Sequence, residues 1–383
     1  MKKLCVFVFV FALAMLCLVF TRTKAHFGVF AAETKKFAEG YIVVERTTGR
    51  VLNAGDEHKK LPMASTTKII TCILTILNQP DLDKIVCIPK EACGIEGSKI
   101  FLKEGEHLSV RELLLGLMLS SGNDAAVALA LDTFGSLENF QAKANAFCKE
   151  LGAENTNIVT PNGLHDKDHY TTAADLAKIT CFALENDTFR EIVLKQSAKI
   201  SNEFGKNERV LKNKNKMLSD YAGATGVKTG YTKAARRCLV SSAMRDGMEL
   251  VCVVLGCDDW FAQSARLLDD AFSKYSMYEL LPEHYHVGKF ECRYGDKEEI
   301  NLVCKRGFCY PLSESERLKI RKQVELPTTI KAPVAKEEPL GKIEFYLENE
   351  LIFSEKIYSI DDSISMRVGD IFRRLWSDLL ILG

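Results

Sequence analysis

The sequence predicts an α+β chain in two folded parts, a mixed helix-and-strand domain over 33–281 and a small β-rich domain over 282–360. Three observations point there. Strand-like apolar runs bracket the first part, at Tyr41–Val44 and again at Arg237–Met244 and Met248–Leu255. Between them lie capped stretches with helical spacing. After Pro282 the texture changes to short alternating runs separated by Gly and Pro. With 383 residues, 47% hydrophobic and 27% charged, the chain has an ordinary globular composition. Lys plus Arg (51) equals Asp plus Glu (51), so no basic excess exists to neutralise phosphates, and a general nucleic-acid binder is excluded.

The first 32 residues read as a secretory signal peptide: Lys2 and Lys3 precede an apolar run from Leu4 to Phe20, and small residues follow at Ala25, Ala31 and Ala32. An uncleaved anchor is the alternative, since the run approaches spanning length. Either way the folded part is expected outside the cytoplasm. Two of the 13 cysteines fall in this leader, which leaves an odd eleven that cannot all pair internally. Several sit in apolar runs, as Cys252 does within Leu250–Leu255, and read as free core thiols. Their spacings are not those of a zinc site.

Tyr41–Val44 and Arg50–Leu52 read as a strand pair around Thr47-Thr48-Gly49. A helix is expected from about Ser65, with Ile69, Ile70, Ile73 and Leu74 on its apolar face. Ser109 with Glu112 forms a capping box ahead of Leu113–Leu119. Further helices follow at Ala125–Leu131, at Leu137–Leu151 and after Thr172, where Asp175 supports the start. Arg237–Met244 and Met248–Leu255 read as neighbouring strands turning at Asp246-Gly247, and Phe261–Leu280 as an amphipathic closing helix. In the tail, Glu299–Val303, Lys342–Leu347 and Leu351–Ile357 read as strands. In the last stretch, 361–383, Ile371, Phe372, Leu375, Trp376, Leu379 and Leu382 share a helical face. Such a helix lies in a membrane interface, or packs on its own domain or a partner.

Three short motifs carry chemistry. In Ser65-Thr66-Thr67-Lys68, positions i and i+3 share a helical face, so Lys68 Nζ can reach Ser65 Oγ. A serine hydroxyl becomes a nucleophile when a base takes its proton. A lysine is that base only when burial or a second cation keeps it neutral. Ser121-Gly122-Asn123 places a hydroxyl and an amide in a loop between two helices. Lys228-Thr229-Gly230 combines a cation and a hydroxyl, suited to a carboxylate, with a glycine that lets a ligand backbone approach. Each alone also fits a surface pair, a helix cap or a strand end. The three together, in this order, form the S-x-x-K, S-x-N, K-T-G signature of penicillin-recognising serine enzymes.

With these motifs, Pro62-Met63-Ala64, Thr160-Pro161-Asn162-Gly163-Leu164, Tyr170-Thr171-Thr172-Ala173 and Lys331-Ala332-Pro333-Val334, the chain resembles the D-alanyl-D-alanine carboxypeptidases, low-molecular-mass penicillin-binding proteins of serine peptidase family S11. The resemblance implies a β-lactamase-like first domain: a five-stranded antiparallel sheet flanked by helices, with a helical subdomain. It implies a β-rich stalk after it and, often, an amphipathic anchor. It implies that Ser65 attacks the carbonyl between two terminal D-alanines, that Lys68 accepts its proton and that Ser121 passes a proton to the leaving D-alanine. Asn123 would hold the acyl-side amide, Lys228 and Thr229 the terminal carboxylate, and the N–H groups of Ser65 and Tyr231 the oxyanion beside Gly230. The expected partners are a peptidoglycan stem peptide, β-lactams as inhibitors and a membrane surface. No cofactor and no metal are expected, and the site of action is the outer face of a bacterial cytoplasmic membrane.

Two positions depart from the family pattern: Arg236 follows Ala234-Ala235 where Ala-Gly is usual, and Trp260 stands where many members carry an arginine near the substrate carboxylate. They support one alternative, a non-catalytic wall-binding homologue. A β-lactamase is the second, but Gly122 replaces the Asp of S-D-N and no deacylating Glu motif is found. A metal hydrolase on His165 and His169 is the third, although that stretch reads as a loop.

Overall fold

The computed structural model describes residues 38–201 and 208–370, together with 372, 373 and 376. The expected signal peptide lies outside these residues, as do 371, 374, 375 and 377–383 of the expected terminal helix; its first residues are not helical, because Ser363 and Ser365 bridge to Val334 and Gly295, and helix begins only at Val368.

The first part is built on a five-stranded antiparallel sheet in the order Val51–Gly55, Gly40–Glu45, Met248–Cys257, Arg236–Arg245, Ala224–Thr232. Met248–Cys257 is buried along its whole length, which is why its sequence is continuously apolar rather than alternating. It is joined to Arg236–Arg245 by Asp246 and Gly247, both at positive φ (47° and 79°), the two-residue turn whose twist matches that of the strands. The first hairpin closes over Glu45, whose carboxylate accepts from the Thr47 and Thr48 amides at 3.0 and 2.8 Å.

Helices Ala173–Ala183 and Trp260–Lys274 pack against Met248–Cys257, and Asp187–Leu194 packs against Ala224–Thr232. The helical part gathers around Lys68–Asn78, which contacts Val110–Met118, Asn123–Phe134 and Ala173–Ala183. Both sequence-read caps are realised: Ser109 and Glu112 exchange the two bonds of a capping box, and Thr172 accepts from the Asp175 amide.

Two elements differ from expectation. Ser65 lies in a single 3-10 turn, Ala64–Thr67, and the α-helix starts at Lys68. In a 3-10 turn the side chains at i and i+3 eclipse, which brings Ser65 and Lys68 closer in register than an α-helix does. The closing helix ends at Lys274, not near Leu280. Ser276–Leu281 is instead a strand paired with Phe308–Leu312, so cross-strand pairing overrides the helical spacing at its end.

The tail domain is a six-stranded sheet ordered Ile320–Glu325, Pro339–Leu347, Glu350–Ser359, Glu299–Cys304, His286–Arg293, Ile330–Lys331. Ile300, Leu302, Ile343, Phe345 and Ile357 centre its own core. One side chain ties the two parts: Arg50 donates to the Pro311 carbonyl and the Glu316 carboxylate, with its guanidinium 5.3 Å from the Tyr275 ring and 5.0 Å from the Tyr310 ring. Among the described residues all eleven cysteines are free, and Cys72, Cys148, Cys238, Cys252, Cys257, Cys292 and Cys304 are buried. No helix among the described residues is long and apolar enough to cross a membrane.

Candidate active site

Ser65, Lys68 and Asn123 meet at one ammonium nitrogen. Lys68 Nζ lies 2.8 Å from Ser65 Oγ, 2.7 Å from Asn123 Oδ1 and 2.6 Å from the Asn162 carbonyl. Lys68 is fully buried at 0% exposure. Burial first, then the charges of Lys228 and Lys214, push its pKa well below the usual lysine range, while Asp124 opposes them. A neutral amine has two N–H donors and one lone pair. Two of its neighbours are carbonyl oxygens, which can only accept. While charged, Nζ donates to Ser65 Oγ as well; once it has lost its proton, its two N–H groups serve the carbonyls and its lone pair faces the Ser65 hydroxyl, which is the arrangement a general base needs.

Asn123 is itself held from both ends. Its Nδ2 donates to the Glu96 carbonyl at 2.7 Å and its amide to the Ser98 carbonyl at 2.7 Å. Asp124, buried at 1% exposure, accepts from the amides of Ile100 (3.0 Å) and Leu102 (3.1 Å) and fixes the same loop against the helix start. Ser121, also buried, sits just before that helix at φ +61°, an uncommon conformation for a side-chain-bearing residue and one that clusters at functional sites.

The edge strand Ala224–Thr232 brings the third motif alongside. Lys228, 1% exposed, donates to the Thr229 carbonyl at 2.8 Å. Burial and Lys214 lower its pKa to about 7. Gly230 runs against the nucleophile's backbone: a methyl there would lie 3.0 Å from Ser65 N and 3.1 Å from Thr66 N. Thr229 is buried beside it, and Tyr231 stands 64% exposed at the rim. Of the eight residues singled out from the sequence, Ser65, Lys68 and Asn123 share hydrogen bonds and Gly230 runs against the Ser65 backbone, while Ser121, Lys228, Thr229 and Tyr231 stand within two residues of Asn123 or Gly230 along the chain.

Residues 28–259 match the family D-alanyl-D-alanine carboxypeptidase. The chain belongs to this family. Residues 275–363 match the penicillin-binding protein 5 C-terminal domain. The chain is 32% identical over 344 residues to D-alanyl-D-alanine carboxypeptidase DacF of Bacillus subtilis, covering 88% of each. It is 30% identical over 353 residues to carboxypeptidase DacD of Salmonella typhimurium, again covering 88% of each. Among solved structures, penicillin-binding protein 5 from Haemophilus influenzae superposes with a TM-score of 0.74 at 27% identity, over 86% of this chain and 98% of that one.

The two departures from the carboxypeptidase pattern have local accounts. Arg236 adopts φ +55°, a region that favours the glycine usual there, and its guanidinium pairs with Asp258 at 2.6 Å and Glu39 at 3.7 Å. Trp260 opens the closing helix against Phe261, with ring centroids 4.9 Å apart. His169 is spent on the scaffold. Its Nδ1 accepts from the Val159 amide at 3.0 Å, and its Nε2 lies 2.8 Å from Thr67 Oγ1, which donates to the Ala64 carbonyl. Burial lowers the pKa of His169 to about 4, so the neutral ring braces the turn that carries Ser65. Sequence reasoning gave no role to Asn162, Asp124 or Lys214. The first acts through a main-chain carbonyl, and the others through contacts across the fold.

Proposed function

We propose that this carboxypeptidase removes the terminal D-alanine from peptidoglycan stem pentapeptides through an acyl-enzyme on Ser65. The observation that carries the reading is the fully buried Lys68 amine, set between two carbonyl acceptors and the Ser65 hydroxyl with its pKa held well below the usual lysine range by burial and by Lys228 and Lys214. Lys68 takes the Ser65 proton as Oγ bonds to the carbonyl carbon between the two D-alanines. The oxyanion is received by the amides of Ser65 and Tyr231, at the place that Gly230 keeps free of a side chain. The C–N bond breaks as Ser121 passes a proton to the leaving amine, and Lys68 resupplies it. Asn123 holds the acyl-side amide, and Lys228 with Thr229 holds the terminal carboxylate. Water then cleaves the ester, restoring Ser65. A penicillin enters the same path and acylates Ser65.

The test is intact mass after exposure to a penicillin. A persistent single adduct is expected, absent in Ser65→Ala, with D-alanine released from a pentapeptide by the wild type only. An adduct that survives Ser65→Ala rejects the assignment. An adduct that turns over rapidly while the drug is consumed favours a β-lactamase.

The enzyme works outside the cytoplasm, at the outer face of the membrane. The leader-like residues 1–32 support export. Val368, Phe372 and Trp376, four residues apart and all strongly exposed, support an amphipathic segment that lies on a lipid surface.

A further inference from the structure

Two lysines carry roles in the site proposed above, and a third is electrostatically coupled to both. The third, Lys214, comes from the turn between Arg209–Lys212 and Met217–Asp220. The turn is locked on both sides. Asn213 accepts from the Asn215 amide at 2.9 Å and donates to the Lys195 carbonyl at 3.0 Å, while Asn215 accepts from the Met217 amide at 3.1 Å. The Lys214 amide donates to the Leu119 carbonyl at 3.2 Å, two residues before Ser121. Its Nζ donates to Ser98 Oγ at 2.7 Å, on the loop whose carbonyls hold Asn123. Lys214 therefore bridges Leu119, just ahead of Ser121, and the Ser98 loop that holds Asn123, and its charge is felt at both Lys68 and Lys228.

Among the described residues, neither Lys214 nor Lys228 is paired with an acid. The polar partners of Lys68, Lys214 and Lys228 are hydroxyl, amide and carbonyl oxygens, and no ion pair holds any of them among the described residues. The nearby carboxylate, Asp124, is spent on backbone amides. Placing like charges together without an anion costs stability, and a ligand carboxylate offsets that cost on binding. A lysine on a locked turn, holding only a hydroxyl, gives up little to take an anion.

We infer that Lys214 is a substrate-binding residue that shares the terminal carboxylate of the substrate with Lys228 and Thr229 across the mouth of the cleft. The inference rests on the reading of Ser65 as the acylated nucleophile. The carboxylate then sits between two ammonium groups on opposite walls. Ser98 is the neutral group that Lys214 releases as the anion arrives.

The experiment compares acylation of Ser65 by benzylpenicillin and by its methyl ester, followed by intact mass, in wild type, Lys214→Met and Lys214→Arg. The readout is the ratio of the two second-order rates, because any change in Lys68 basicity acts on both and cancels. In wild type the acid is expected to react faster than the ester. Lys214→Met should reduce that ratio by about tenfold, the scale of one charged hydrogen bond, and Lys214→Arg should restore most of it. A ratio unchanged in Lys214→Met overturns the inference, since Lys214 then acts only through Lys68 or the fold. Absence of any adduct in wild type would sink the Ser65 reading and this one with it. An adduct with an unchanged ratio sinks this one alone.

Discussion

Lys68 Nζ has no carboxylate among its three partners, and a second lysine lowers its pKa from the neighbouring strand. The sign of the pH dependence follows. The reactive form is the deprotonated one, so acylation should climb with pH as Lys68 loses its proton and level off above its pKa. Lys228 and Lys214 push that pKa down, so they move the rise to lower pH. Replacing Lys228 with Gln removes one of these charges, and the acid limb of the penicillin acylation profile should shift to higher pH. A limb that stays in place, or moves to lower pH, would show that burial alone sets the basicity of Lys68. What could be read here in advance was the residue pair, because i and i+3 spacing is a property of the chain. The Asn162 carbonyl was not legible, because every residue carries a carbonyl and only the fold decides which one arrives.

At the scale of elements, the nucleophile's turn is pressed against the edge strand at Gly230. Gly230 passes Ser65 N at a distance where a methyl would meet backbone atoms at 3.0 Å. Backbone, unlike a flexible side chain, cannot swing aside. Gly230→Ala should therefore displace the 3-10 turn or the edge strand by some tenths of an ångström. Acylation by a penicillin should fall on the order of 10–100-fold, since oriented reactions are that sensitive to misplacement. Far-UV circular dichroism should stay native, and an unaltered acylation rate would mean that the strand does not set the position of Ser65. The strands and caps around this contact were legible because alternation, capping boxes and an Asp-Gly turn are local signals. The end of the closing helix was not. Tyr275–Leu281 carries spacing compatible with either state, and its partner Phe308–Leu312 lies about thirty residues on.

For the whole molecule, a catalytic part, a β-rich part and an exposed apolar segment follow one another along the chain. Arg50 binds the first two through both hydrogen bonds and flanking rings. If the last segment seats on lipid, deleting 371–383 should move a leader-free protein from the vesicle-bound to the free fraction in flotation, with penicillin acylation unchanged. A leader-free, full-length protein that does not float with vesicles would reject the membrane role. Composition legibly separated the two domains, because an alternating, turn-rich stretch differs from a helical one. The Arg50 tie was invisible beforehand, since a single arginine among many surface cations carries no mark of its partners.

The cysteines bear on how this protein comes into being. Burial pushes the thiols of Cys148, Cys238 and Cys252 up to about 12, and seven of the eleven described cysteines are closed off inside the two cores. At neutral pH such sulfurs are almost wholly protonated and poor partners for exchange. These seven reach their places in the fold as thiols, with no disulfide to be made. For these seven the hazard of mispairing is confined to the interval before the cores close, so rapid burial is itself their protection.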